Sequence, residues 1–267
     1  MDNNENKKEH KALSKVIFIA FIVGAVLLAL AVLTSIVMLL FPVKEIQVEG
    51  DSRYAYSEII EISGVEEGNR LFYLNKEKAE NKILQAFPYL ESVKVESYFP
   101  NKIKITIKEF EDVYLAPHEQ GFCYVNGQFE ILEIVDSAPT YDEFSGIYIK
   151  LENIVSGEVG DVYVNEDSKR ATELIAYIKQ YGFYQYLNIV DVDDKYDNGF
   201  VVGKRYKFVL GSMADVEEKI ENILKVVFSD TFNREESCIL DATNKKNVVY
   251  RPLNQENILK EFDFCKK

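Results

Sequence analysis

Two histidines and three cysteines are all that this 267-residue chain has of the side chains that most often hold metals or attack substrates. His10 precedes a long apolar run, and His118 falls between strand-like stretches, where it reads as a loop residue at the surface. No histidine pair can therefore share an ion. The H-E-x-x-H, G-x-S-x-G, P-loop and S-x-x-K patterns are all missing. Cys123 and Cys238 sit in apolar strand-like runs as ordinary buried thiols, and Cys265 falls in a C-terminal tail expected to be mobile. Such a set gives no disulfide framework. Positive charge is also scarce. The chain carries 31 Lys and Arg against 44 Asp and Glu, which argues against nucleic acid, a partner that needs a basic face.

Acidic residues are plentiful, but their arrangement is not that of a site. The run Asp191-Val192-Asp193-Asp194-Lys195-Tyr196-Asp197-Asn198-Gly199 resembles a calcium loop, yet Lys195 falls where a carboxylate is required. It reads as the polar edge of a strand and a hairpin turn. Adjacent pairs such as Glu66/Glu67, Asp193/Asp194 and Glu235/Glu236 are expected in a chain with 44 acids. No enzyme, no cofactor and no small-molecule ligand is expected.

What the chain does have is one long hydrophobic run. Residues 16–41 contain 26 residues without a charge. As a helix they reach roughly 39 Å, against a hydrocarbon core of about 30 Å. Inside a bilayer only a helix can satisfy its own backbone groups from a single segment. The run is too long for the core of a cleavable signal, and Met38-Leu39-Leu40-Phe41-Pro42 is too bulky for a cleavage site. Lys7, Lys8, Lys11 and Lys15 precede it, whereas only Lys44 and Arg53 follow closely, so residues 1–15 are expected in the cytoplasm. The expected topology is a single-pass type II protein of the cell membrane.

Residues 42–110 read as β-α-α-β-β. Alternation over 43–49 is a strand closed by Gly50-Asp51. Ser57 is the expected N-cap of a helix over 58–63, and Gly64 its C-terminal glycine. A second helix starts after Asn75, with Ala79, Ile83, Leu84 and Phe87 on one stripe, and stops at Pro88. Strands over 92–98 and 102–108 form a hairpin through Phe99-Pro100-Asn101, with Val93, Val95, Ile103, Ile105 and Ile107 facing inward.

Residues 111–252 are richer in strands. Strands over 121–125 and 128–132 flank Asn126-Gly127, and another covers 145–151. A helix over 167–181 buries Ala171, Leu174, Ile175 and Ile178. Strands over 187–192, 200–202 and 206–210 form a meander. A helix over 212–228 and strands over 237–240 and 247–251 close the unit, with 253–267 left as a tail. The fold class is α+β: a transmembrane helix, a small β-α-α-β-β module, and a mainly antiparallel β domain with helices.

The stretch PYLESVKVESYFPNKIKITIKEFEDV, residues 88–113, resembles the POTRA module of the FtsQ/DivIB cell-division proteins, above all in Pro100-Asn101 and the I-x-I-x-I-x-E run ending at Glu109. Tyr206-Lys207-Phe208-Val209-Leu210-Gly211, Glu218-Lys219-Ile220, Ile239-Leu240-Asp241 and Val248-Val249-Tyr250-Arg251-Pro252 follow in the order of that family's β domain. The resemblance implies a non-catalytic divisome scaffold at the division septum. It also implies docking of the bitopic proteins FtsL and FtsB/DivIC, with the septal synthase FtsW and its transpeptidase as further neighbours. The residues expected to carry docking are Asn247, Val248, Val249, Tyr250 and Arg251, because a last strand is often an open sheet edge. A proline at Val249 is expected to remove a donor from that edge. The rival reading is an extracytoplasmic enzyme acting on the cell wall.

Overall fold

The computed structural model describes residues 3–254, 257 and 260–266. Among these the chain divides into two compact units, Met1–Glu109 and Phe110–Lys267.

The first unit begins with helix α1, Asn3–Leu40, so the helix starts well before the apolar run. Its stretch Ile17–Ile36 is long and apolar enough to cross a membrane and is not buried by any of the described residues. Beyond it lie β1 (Glu45–Glu49), α2 (Tyr56–Ser63), α3 (Lys76–Ala86), β2 (Leu90–Tyr98) and β3 (Lys102–Glu109). The sheet order is β1-β3-β2, with β1 parallel and β2 antiparallel to the central β3. β3 alternates Ile103, Ile105 and Ile107 inward with lysines outward, so one face of the sheet is apolar. Ile59 of α2 and Ala79 and Ile83 of α3 cover that face, with Val95 buried and Val93 half-buried beside them.

The caps show where local chemistry acted. Asn75 accepts from the Lys78 N–H at 3.0 Å and opens α3, and Gly64 ends α2 in the left-handed conformation at φ 68°. Ser57 does not cap α2. The helix begins two residues earlier than expected, at Tyr56, after Ala55, which makes no side-chain cap bond. Gly50, at φ 119°, closes β1 where a Cβ would lie 2.1 Å from the Ile107 carbonyl oxygen. Only glycine fits there.

The second unit contains β4 (Val113–His118), β5 (Gly121–Asn126), β6 (Ile131–Val135), β7 (Ile147–Leu151), α4 (Glu166–Gln180), β8 (Leu187–Val192), β9 (Asn198–Val202), β10 (Tyr206–Gly211), α5 (Val216–Val227), β11 (Ser237–Asp241) and β12 (Val249–Leu253). These strands form one sheet in the order β12-β11-β10-β9-β8-β7-β4-β5-β6. Five neighbouring pairs are antiparallel. The pairs β4–β7, β7–β8 and β10–β11 are parallel, and the last two are joined through α4 and α5.

β4 is a strand that the sequence pattern hides, because Pro117 interrupts it. With it goes the surface reading of His118. That residue is buried at the end of β4, where its Nε2 lies 3.1 Å from the Gly157 carbonyl and its Nδ1 accepts from the Gln120 N–H at 3.1 Å. The loop between β5 and β6 is longer than Asn126-Gly127 alone requires. The buried Asn126 side chain accepts from the N–H groups of Gln128 and Glu130, so β6 starts only at Ile131.

Both faces of the sheet are covered. Ala171, Leu174, Ile175 and Ile178 of α4 and Val216, Ile220 and Ile223 of α5 pack on one face against Val190, Phe200, Phe208 and Leu240. On the other, Leu115, Phe122, Tyr148, Ile189 and Val201 meet Phe262 and Cys265. The C-terminal segment is thus docked where the sequence reading expected a mobile tail. Phe264 stacks on Tyr148 at 3.8 Å, Tyr141 meets Phe262 edge-on at 5.1 Å, and Cys265 is buried.

Candidate functional site: an open sheet edge

β12 occupies one end of the nine-strand order, so only β11 flanks it among the described residues. Which of its backbone groups are free follows from parity. The Cys238 N–H donates to Arg205 O and the Ala242 N–H to Val209 O, so the backbone of residues 238, 240 and 242 points toward β10. Residues 237, 239 and 241 therefore point toward β12. Their partners in register are Leu253, Arg251 and Val249. Those three residues bond inward, and the backbone groups of Tyr250 and Pro252 point to the open side.

Pro252 lacks an N–H, and it sits where no ladder donor is required. The outward groups of the strand are thus the N–H and C=O of Tyr250 and the C=O of Pro252. Val249 is inward-bonded, so a proline there breaks the pairing with Asp241 rather than the open edge. The sequence reading assigned that residue to the wrong side of the strand.

The five expected docking residues do not act as one strand. Asn247 closes a turn, its N–H donating to Asn244 O at 3.1 Å, and Val248 packs against the helix-side core. Val249, Tyr250 and Arg251 are in β12, and Pro252 and Leu253 extend it beyond the expected end. A proline inside an apolar run was the available signal, since sheets admit proline mainly at edges.

Side chains around the edge are ordered by contacts of their own. Tyr250, 38% exposed, donates its hydroxyl to Glu236 at 3.3 Å and meets Phe232 edge-on at 6.3 Å, and Phe232 in turn lies 5.7 Å from Tyr206. Partial desolvation, with the charge of Glu236 nearby, raises the pKa of the Tyr250 phenol. Val249 is 51% exposed on the opposite face, and Arg251 pairs with Asp241. Burial pushes Asp241 upward, but hydrogen bonds from Thr243 and the Arg251 guanidinium outweigh it and hold the carboxyl below its usual range. The result is a half-apolar ledge with an aromatic side and an unpaired backbone row.

The other end of this sheet is blunted. The Ile131 N–H donates to Asp161 O at 2.9 Å and Gly160 donates back to Ile131 O at 2.8 Å, so segment 160–163 lies along β6. In the first unit the Val95 N–H at the outer side of β2 is taken by Glu80 at 2.7 Å.

No group of three His, Cys, Asp or Glu at metal-binding spacing occurs among the described residues. Asp191 and Asp193 are held together by Lys150, at 3.3 and 2.5 Å. Burial pushes Asp191 up to about 6, while Lys150 holds the more exposed Asp193 down despite some desolvation. Lys219 is buried in α5 and donates to Ser212 O at 2.8 Å, with desolvation lowering its pKa. These groups brace strands and a helix start.

An N-terminal helix that fits a single-pass membrane anchor, a three-stranded module directly after it and a large, mainly antiparallel sheet with an open strand at one end define the class of the protein. Comparison with known proteins narrows the class. Residues 41–110 match the POTRA domain, FtsQ-type. The cell division protein DivIB of Clostridium acetobutylicum is 30% identical over 215 residues, which cover 79% of this chain and 82% of that protein. DivIB of Clostridium botulinum strain Hall is 23% identical over 258 residues, 91% of this chain and 93% of that one. The cell division protein FtsQ of Corynebacterium glutamicum is 29% identical over 105 residues, 39% of this chain and 47% of its own length. The chain belongs to the FtsQ/DivIB family of bacterial cell division proteins, and its role is in cell division.

Proposed function

We propose that the protein is a non-catalytic scaffold of the division machinery, anchored by α1 with its N-terminus in the cytoplasm and concentrated at the septum. In this reading its β12 edge receives a strand from the extracytoplasmic end of an FtsB/DivIC-like partner bound to FtsL. The complex then helps assemble and regulate septal peptidoglycan synthesis by FtsW and its transpeptidase. The observation that carries the proposal is the unpaired, outward backbone of Tyr250 at the end of an otherwise covered sheet. An added strand gains main-chain hydrogen bonds there, and the ring of Tyr250 supplies an aromatic anchor.

Affinity purification of the tagged full-length chain from dividing cells tests this. Recovery of FtsL and DivIC homologues, lost in a Tyr250→Pro variant that still reaches the membrane, is the expected result. Unchanged recovery with that variant refutes docking at this edge. Clearing of peptidoglycan by the purified chain refutes the non-catalytic part.

A further inference from the structure

The first unit has two ends, and they differ in character. β2 finishes at Tyr98 and β3 starts at Lys102, so the hairpin tip lies at one end of the sheet. β1 starts at that same end, where the Lys44 N–H donates to Asn101 O at 2.8 Å. Phe41, the first residue after α1, is fixed there too. Its carbonyl accepts from the Leu71 N–H at 3.2 Å, and its ring lies 4.9 Å from that of Phe99. Two loops therefore bracket the point where the chain leaves its apolar helix. Four aromatic side chains stand out of them: Phe72 and Tyr98, each 46% exposed, Tyr73, 62%, and Phe99, 69%. At the far end Ser52 and Arg53 instead bond the carboxylate of Glu109.

We propose that these two loops form a membrane-contacting face, with Phe72, Tyr73, Tyr98 and Phe99 seated among the lipid headgroups and upper acyl carbons. The inference rests on the reading that α1 spans the bilayer. An apolar run of roughly 39 Å outreaches a hydrocarbon core of about 30 Å and ends within the headgroup zone. Phe99 touches the residue at that end, so its ring lies at headgroup depth. Aromatic side chains favour this layer, where one part of the ring system is apolar and the rim is wet. The contact needs no attraction of charge, which suits a chain of net charge −13. The tether to α1 removes most of the entropic cost of association, because the loops are already at the surface. The consequence is a first module held upright on the membrane rather than swinging from a single covalent joint.

The chain has no tryptophan, so single replacements report cleanly. The full-length protein is reconstituted as Phe99→Trp, Tyr56→Trp and Leu33→Trp in phosphatidylcholine vesicles with or without brominated acyl chains. The Tyr56 hydroxyl donates to the carbonyl of Gly50, which lies about 16 Å along β1 from the membrane end by strand rise. Brominated lipid should quench emission from Leu33→Trp and Phe99→Trp and leave Tyr56→Trp unchanged. Quenching at Leu33→Trp without quenching at Phe99→Trp overturns the membrane face and leaves the anchor standing. Equal quenching at Tyr56→Trp and Phe99→Trp also overturns it, since the module would then lie on no particular end. Absence of quenching at Leu33→Trp overturns the anchor itself.

Discussion

A pair of proline substitutions one residue apart separates the open side of β12 from its paired side. In Tyr250→Pro the lost N–H points outward, so no bond within the sheet is broken. The residue before the new proline is already extended, as the geometry before proline requires. The loss of a ring 38% exposed should leave stability within about 1 kcal/mol of the parent. Binding is another matter. The partner loses one hydrogen bond, worth about 1 kcal/mol net, and its carbonyl is left desolvated at a further cost of about 1–3 kcal/mol. The dissociation constant should rise by about 30-fold to 1,000-fold. Val249→Pro does the reverse. It removes the donor facing Asp241 and should lower stability by about 2 kcal/mol, weakening binding only through loss of the strand. Calorimetric titration of the detergent-solubilised chain with the proposed FtsL–DivIC partner, beside urea unfolding of each variant, gives both quantities. If Val249→Pro weakens binding at unchanged stability while Tyr250→Pro binds normally, the parity argument fails.

Two further outcomes follow from buried groups. Burial raises the folded pKa of Asp191 to about 6, well above the ordinary carboxylate value, so the native state holds more protons than the unfolded chain between those values. Stability should therefore fall as pH rises through about 6, and Asp191→Asn should flatten that part of a melting-temperature profile. A profile with the same slope in both proteins contradicts the assignment. Phe262→Ala should cost about 3 kcal/mol and release the C-terminal segment, so that Cys265 reacts with a thiol reagent in the native state. Cys123 and Cys238, which are fully buried, should stay protected. Unchanged thiol protection would mean that the segment is held by other contacts.

Much of this architecture is legible in the sequence because periodicity and local capping carry it. The uncharged run of α1, the alternating isoleucines of β3 and the Asn75 cap all depend on near neighbours, and each has its counterpart in the structure. The features that escape a sequence reading depend on tertiary contacts. Pro117 hides β4, although a proline can occupy a strand where its nitrogen needs no partner. His118 is buried by a segment almost forty residues away, through Gly157. The tail has few apolar residues, yet Phe262, Phe264 and Cys265 find an aromatic surface assembled from β7 and the residues preceding it. The expected edge strand is a strand and lies at an edge, but which residues face outward depends on the register with β11. Position along the chain cannot reveal that register.

Amide-resolved hydrogen exchange across β12, with and without the proposed FtsL–DivIC partner, tests docking at this edge most directly. In the isolated chain the Tyr250 amide should exchange freely while the Arg251 amide, paired with Ile239, is protected. In the complex the Tyr250 amide should become protected and Arg251 should change little. A Tyr250 amide that exchanges equally fast in both states, with the partner bound, would contradict strand addition at β12.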